Sequence, residues 1–267
     1  MKLGHILLMA ILTFFWIWSL PLLCVAFMLG MPAALFALPV SVVISLVLQY
    51  LQHGRIMPNT LARQWFSRIP WHEWFPCNTL RARKTSVIAV HPHGLLCCGA
   101  IAGIHFVQGA TTVFCVAPLL FYVPLIGWLL RLLGFIPAHY DIMLRALQRG
   151  HSVIVVPGGV PELVMAETGD DTCLFERHGF LRLASEARVP VLSVFVKGEC
   201  ATYAMVRAPL LHWRVWLSWK SNMPLVVPLF LGYYGTWMPK RTPLKLRVVR
   251  NPARERRQYR QNLKRLI

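Results

Sequence analysis

The hydrophobic and polar positions divide the chain into two unequal parts. Between Lys2 and Arg55 there is no Asp, Glu, Lys or Arg. One bilayer crossing takes about 20 apolar residues, so the stretch is too long for one span and suits two. A break near Gly30, Met31 and Pro32 places them roughly at residues 6–28 and 33–52. A cleaved leader would have an apolar core of only about 7–15 residues, which favours a transmembrane hairpin over 1–54. Lys2 precedes the first span, while Arg55, Arg63, Arg68, Arg81, Arg83 and Lys84 follow the second. The positive-inside rule then puts both ends in the cytosol. Residues 55–84 form a linker whose run from Gln64 to Phe75, with Trp65, Phe66, Trp71 and Trp74, reads as an interfacial aromatic belt.

From residue 85 to 267 the texture changes to β-branched runs alternating with helical patterns. Candidate strands are Ser86–Val90, Thr111–Val116, Ser152–Val156, Val189–Val196, Leu225–Leu229 and Leu244–Val249. Helix-like stretches lie between them at Leu119–Leu133, Asp141–Arg149 and Gly179–Ala187. Strands spaced by helices predict an α/β domain, a mixed sheet flanked by helices, with its site in loops beyond the carboxyl ends of strands. Trp213, Trp216 and Trp219 recur every third residue with Arg214 and Lys220 among them, which predicts a second interfacial patch.

Composition sharpens this picture. Hydrophobic residues make up 56% and charged residues 14% of the 267, where a soluble domain carries about a quarter charged. Much of the surface therefore faces lipid. Lys and Arg outnumber Asp and Glu 28 to 10, a net charge of +18. That charge suits anionic headgroups or a polyanionic small molecule. Nucleic acid is disfavoured, because the chain shows no helix-turn-helix, zinc-finger or RNP pattern. Eleven of the basic residues fall between Lys240 and Ile267 against one acid, Glu255; a helix-like close from Ala253 onward reads as a clamp on the cytosolic leaflet or a solvated charged helix. Seven cysteines with no CxxC pair read as reduced thiols.

The strongest chemical signal is His91-Pro92-His93-Gly94, directly after a strand. Histidine titrates near neutrality and can take a proton from an alcohol. A metal reading needs further ligands, and the remaining histidines are scattered, so no metal is expected. A second strand end opens into Pro157-Gly158-Gly159-Val160-Pro161-Glu162, where glycines let amides approach a ligand oxygen. Arg177 and His178 stand before a helix, placed for a phosphate or carboxylate, and a later strand runs into Lys197-Gly198-Glu199.

In this order the blocks His91–Gly94, Gly158–Glu162, Arg177–Phe180 and Gly198-Glu199 resemble the type 2 group of the diacylglycerol and monoacylglycerol acyltransferase family. A related branch of glycerolipid acyltransferases has an Asp five residues after its His, but Leu96 and Cys98 occupy those places here. The resemblance implies a glycerolipid acyltransferase-like fold, a location in the endoplasmic reticulum membrane facing the cytosol, and acyl-CoA as co-substrate with no other cofactor. It also implies esterification of a neutral glycerolipid, diacylglycerol to triacylglycerol. Alternative acceptors are a monoacylglycerol, a fatty alcohol or a lysophospholipid, and the rival class is a non-catalytic lipid-body scaffold. On this reading His93 is the general base, His91 hydrogen-bonds and orients it, and Glu162 holds the imidazolium. Gly94, Gly158 and Gly159 serve the oxyanion, while Arg177, His178 and Lys197 meet coenzyme A.

Overall fold

The computed structural model describes residues 47, 71–105, 107, 111–122, 126–172, 177–221, 229–236, 238–249 and 256–267. Val47 apart, the two expected spans lie outside these residues, as do the linker up to Pro70 and positions 225–228 of one expected strand. Among the described residues no helix is long and apolar enough to cross a membrane.

Six strands form the central sheet: β1 (Val87–His91), β2 (Thr112–Val116), β3 (Phe135–Pro137), β4 (Ser152–Val155), β5 (Val191–Lys197) and β8 (Lys245–Val249). Their order is β3-β2-β4-β1-β5-β8, parallel throughout except for β8, which pairs antiparallel with β5. The sheet is thus mixed, as expected, and parallel-dominated. A separate two-stranded ribbon joins β6 (Ala204–Met205) to β7 (Phe230–Leu231).

Both faces of the sheet are covered, which explains why the parallel strands read as unbroken apolar runs. Successive side chains of a strand alternate between faces. Ile88 and Val90 accordingly join Phe114, Ile154, Val194 and Val196 in one core cluster. Val87 and Ala89 join Val113, Val153, Phe180, Leu183, Tyr259 and Leu263 in the other. By the same parity His91 turns toward the second cluster.

The helices are α1 (Trp71–Trp74), α2 (Cys98–Ala100), α3 (Ile126–Leu132), α4 (Tyr140–Gln148), α5 (Gly159–Met165), α6 (Gly179–Glu186), α7 (Leu211–Ser221) and α8 (Arg256–Leu266). Helix α2 runs on as a π-helical turn, Ile101–His105. The single helix expected over Leu119–Leu133 is in fact a 3-10 turn, Pro118–Tyr122, followed by α3. Pro118 opens the 3-10 turn, a position that suits a residue with no backbone N–H to give.

Two further expectations change. Trp74 and Phe75 belong to the core instead of an exposed belt, at 5% and 1% exposure. Trp74 donates from Nε1 to the carbonyl of Pro239 at 2.9 Å and meets the Tyr233 ring edge-on. The basic tail is docked as well. Tyr259, Asn262, Leu263 and Leu266 are buried, and Arg247 donates to the carbonyls of Leu266 and Ile267 at 2.9 Å each. Helix α7 packs on α5. It turns Arg214 inward to Glu167 (2.8 Å) and leaves Trp213 and Trp216 more than half exposed.

Candidate active site

Strand β1 lies between β4 and β5. The strand order therefore brings three sequence blocks together at the carboxyl edge: the His91–Gly94 loop after β1, the Gly158-Gly159 turn after β4 and the Gly198-Glu199 turn after β5. Crevices at this edge are the usual sites of open α/β sheets.

His91 closes β1 and is fully buried. Its Nδ1 lies 2.7 Å from Glu162 Oε1, and its Nε2 lies 2.7 Å from the hydroxyl of Tyr259. An ionised carboxylate only accepts, so Nδ1 carries the proton and the Tyr259 hydroxyl donates to Nε2. Both ring nitrogens are thereby engaged. The expected hydrogen bond from His91 to the His93 ring is replaced by this inward-facing pair.

His93 is half-buried on the loop. Its backbone N–H donates to Glu162 Oε2 at 2.9 Å, so the expected Glu162 contact reaches His93 through the main chain. Its Nδ1 sits 2.8 Å from the carbonyl oxygen of Gly94. A carbonyl cannot donate, so Nδ1 is the protonated nitrogen and Nε2 keeps its lone pair. Burial lowers the imidazole below its ordinary value of 6.5, outweighing the opposing pull of the Gly94 carbonyl and the Glu162 charge. The ring is neutral at pH 7, as a base must be. Cys97, in the left-handed region at φ 53°, donates from its thiol to the His93 carbonyl at 3.1 Å. Burial raises that thiol well above its usual range, which leaves little thiolate and disfavours it as a nucleophile.

Glu162 lies in the first turn of α5, where the helix dipole favours an acid. It folds back over the preceding turn, and a Cβ on Gly158 would overlap its carboxyl group. Gly158 thus makes room for Glu162. Gly159 has φ +56° and open space around it, but its N–H donates to the carbonyl of Val156 at 3.2 Å. That amide is taken by the turn and is not offered to a ligand oxygen as expected.

Glu199 received no role from the sequence beyond its block. It is fully buried and accepts from the N–H groups of Cys98 (2.7 Å) and Gly99 (2.9 Å). It also packs on Gly94, where φ is +55° and a Cβ would lie 2.7 Å from Glu199 Cγ. Burial pushes its carboxyl up to about 8 against the opposing effect of the two amides. Asp171 holds the same turn, accepting from the N–H groups of Gly198 (2.6 Å) and Cys200 (2.9 Å). Glu162, on the His93 N–H, and Glu199, on the Cys98 and Gly99 N–H groups, thus hold the segment that follows β1 at two points. The scarcity of acids, ten in 267 residues, is the signal by which burial of several of them would have stood out.

The residues expected to meet coenzyme A sit on different elements, Arg177 and His178 before α6 and Lys197 at the end of β5. The Arg177 guanidinium donates to the Trp219 carbonyl at 3.2 Å and lies 5.1 Å from the centre of that ring. Its backbone N–H donates to Pro157 at 3.3 Å. Arg177 thus ties the Gly158 turn to α7. His178 is the N-terminal flanking residue of α6. Lys197 is exposed at the end of β5, opposite Lys245 of β8. Among the described residues no three His, Cys, Asp or Glu side chains gather as a metal ion would need.

Against known proteins, a sequence profile described as "Diacylglycerol acyltransferase" matches residues 36–260. The chain is 29% identical to "Diacylglycerol O-acyltransferase 2-like protein 6" of Mus musculus, over 70% of this chain and 63% of that protein. It is 27% identical to "Diacylglycerol O-acyltransferase 1" of Saccharomyces cerevisiae, over 62% of this chain and 44% of that one. "Acyl-CoA wax alcohol acyltransferase 2" of Homo sapiens is 23% identical, over 73% and 68%. Among solved structures, the 1-acyl-sn-glycerophosphate acyltransferase PlsC of Thermotoga maritima aligns over 93% of this chain and 94% of its own, with a TM-score of 0.48 and 14% identity. With three of its blocks at the carboxyl edge of one sheet and a profile match over most of its length, the chain belongs to the diacylglycerol acyltransferase family.

Proposed function

We propose that the chain is an acyl-CoA-dependent O-acyltransferase that esterifies the hydroxyl of a neutral glycerolipid, converting diacylglycerol to triacylglycerol. The observation that carries this reading is the tautomer of His93. Its Nδ1 proton is given to the Gly94 carbonyl (2.8 Å), so Nε2 is the lone pair left to receive a hydroxyl proton. The family and the names of its relatives support acyl transfer to a lipid alcohol.

In the proposed reaction the acceptor oxygen attacks the thioester carbonyl carbon while its proton passes to His93 Nε2. The tetrahedral oxyanion is met by the backbone N–H groups of Gly94 and Gly158. It collapses, the C–S bond breaks, and the imidazolium returns its proton to the coenzyme A thiolate. Products are an ester and free coenzyme A, with no acyl-enzyme. Such a base contributes typically 100- to 10,000-fold. The Glu162 charge favours the transient imidazolium, following the orienting-acid logic of catalytic triads. Because Arg177 is held by α7, coenzyme A binding is assigned to the loops only as a group. The hairpin expected from the sequence of residues 1–54, together with the exposed Trp213 and Trp216 face of α7, would seat the domain on the cytosolic face of the endoplasmic reticulum membrane.

The test is expression in a host lacking neutral lipids, followed by assay of membranes with labelled acyl-CoA. Diacylglycerol, monoacylglycerol, a fatty alcohol and a lysophospholipid would be offered separately. Labelled triacylglycerol that is absent with His93→Ala is the expected result. A different ester would replace the acceptor. Lipid bodies formed equally by His93→Ala, with no ester from any acceptor, would favour the scaffold.

A further inference from the structure

The polar network at the centre of the site does not end at Glu162. Tyr259 sits on α8, 168 residues from His91 in sequence, and is fully buried. Its hydroxyl lies 2.7 Å from His91 Nε2, and its ring packs edge-on against Phe180 with centroids 5.0 Å apart. From that hydroxyl the contacts run in one line. His91 Nδ1 meets Glu162 Oε1 at 2.7 Å, and Glu162 Oε2 accepts the backbone N–H of His93 at 2.9 Å.

Resting on the acyltransferase reading above, we propose that Tyr259 is a positioning residue of the acyl-transfer centre, holding the His91–Glu162 pair from behind and thereby fixing the backbone of His93. Three features carry this. First, His91 is a rigid intermediary. It closes a strand hydrogen-bonded on both sides, with Tyr259 on one ring nitrogen and Glu162 on the other. The Tyr259 proton given to Nε2 keeps the other proton on Nδ1, where Glu162 requires a donor.

Second, Glu162 divides its two oxygens between His91 and His93, so rotation of the carboxyl that loses one partner also misplaces the other. Third, α8 is held against the sheet independently of this contact. Leu263 and Leu266 are buried, and Arg247 caps the helix end at 2.9 Å. The hydroxyl can therefore be removed without undocking the helix. The basic segment that reads in sequence as a surface clamp is, on its inner face, part of the catalytic centre.

Tyr259→Phe tests this in the full chain, because it keeps the ring on Phe180 and deletes only the hydroxyl. The first readout is amide hydrogen exchange of a peptide covering residues 91–98. Exchange is expected to speed at least several-fold in the variant, with the Val87–Val90 backbone unaffected. Equal exchange in parent and variant would overturn the proposal, whatever the activity.

The second readout is kinetic. A fall of about tenfold in kcat, with KM for acyl-CoA and acceptor within twofold, is the signature of a displaced base and not of lost binding. The cycle with His91→Asn separates positioning from packing. Asparagine keeps a donor for Glu162 but offers Tyr259 no imidazole, so the double variant should be as active as His91→Asn alone. Independent, multiplying losses would overturn the proposal. If the parent transfers no acyl group while exchange still responds to Tyr259→Phe, the positioning role stands and the acyltransferase reading falls.

Discussion

Gly158 and Glu162 share one small space: a Cβ on Gly158 would fall within the Glu162 carboxyl group. The glycine after β4 is thus required by the acid that follows it, because α5 begins by folding Glu162 back toward β1. Gly158→Ala should push the carboxylate off both His91 and the His93 amide, lowering turnover by roughly 100-fold or more and leaving buried polar groups without partners, at about 1–3 kcal/mol each. Gly159→Ala meets open space and carries only the backbone cost of positive φ, about 1–2 kcal/mol. Turnover and thermal midpoints measured on both variants check this. Equal damage from the two would mean that turn geometry and not room for Glu162 is what matters.

The two histidines of the loop should fail in different ways. His93 is half-buried and its Nε2 is the proposed proton acceptor, so His93→Ala should remove turnover while leaving the thermal midpoint within a few degrees of the parent. His91 is fully buried between Glu162 and Tyr259. His91→Ala strands a buried carboxylate, a change that costs on the order of 3–5 kcal/mol, and should lower activity through loss of folded protein. Melting curves beside activity distinguish the two. A His93→Ala protein as unstable as His91→Ala would show that both are structural.

The sheet was legible because β-branched runs marked β1, β2, β4, β5 and β8 within a few residues. Three Gly-rich strand ends also pointed to one edge. β3 escaped because three residues show no period, and α5 escaped because Gly-Val-Pro reads as a turn until Glu162 is seen inside it. The identities of His91, His93 and Glu162 could be read from sequence, but their connections could not. Which nitrogen faces which oxygen depends on strand order and on α8 arriving from the far end of the chain. Tyr259 lay in a segment whose eleven basic residues masked the spacing of Tyr259, Leu263 and Leu266, one apolar stripe of a helix. Glu199 was visible beside Gly198, yet only the packing of β5 against the His93 loop gives it a role.

Two groups predict opposite pH limbs. Burial lowers the His93 imidazole below 6.5, so the proposed base stays unprotonated through neutrality and turnover should fall only on the acid side of 6.5. His93→Ala should abolish that limb together with the activity. Glu199 is raised from 4.5 to about 8. A raised carboxyl binds its proton more tightly folded than unfolded, so its contribution is complete below pH 4.5 and is lost as pH rises to about 8. The thermal midpoint should therefore decline between about pH 5 and 8. Glu199→Gln, which cannot ionise, should flatten this decline while starting lower, because its amide can accept from only one of the Cys98 and Gly99 N–H groups. A decline of the same slope in Glu199→Gln would assign it to another group.

Truncation after Val249 decides what the basic tail is for. As a leaflet clamp, each basic residue near an anionic surface would contribute about 1 kcal/mol, and its loss would be felt on membrane substrate more than on detergent-dispersed substrate. The structure predicts otherwise. Tyr259, Leu263 and Leu266 are buried at 0%, 2% and 6% exposure, and three such side chains contribute roughly 5–9 kcal/mol by burial, comparable with the whole stability of a domain. Removing them also takes the hydroxyl from His91. Activity should therefore collapse equally on both substrates, with a lowered melting temperature. The exposed face of the same helix, with Arg257 and Lys264, remains available to anionic lipid. Arg257→Gln with Lys264→Gln should weaken salt-sensitive contact with anionic vesicles without the melting change that truncation brings. A truncated chain that kept its turnover in detergent would show that α8 is dispensable for folding, and would remove Tyr259 from the centre as well.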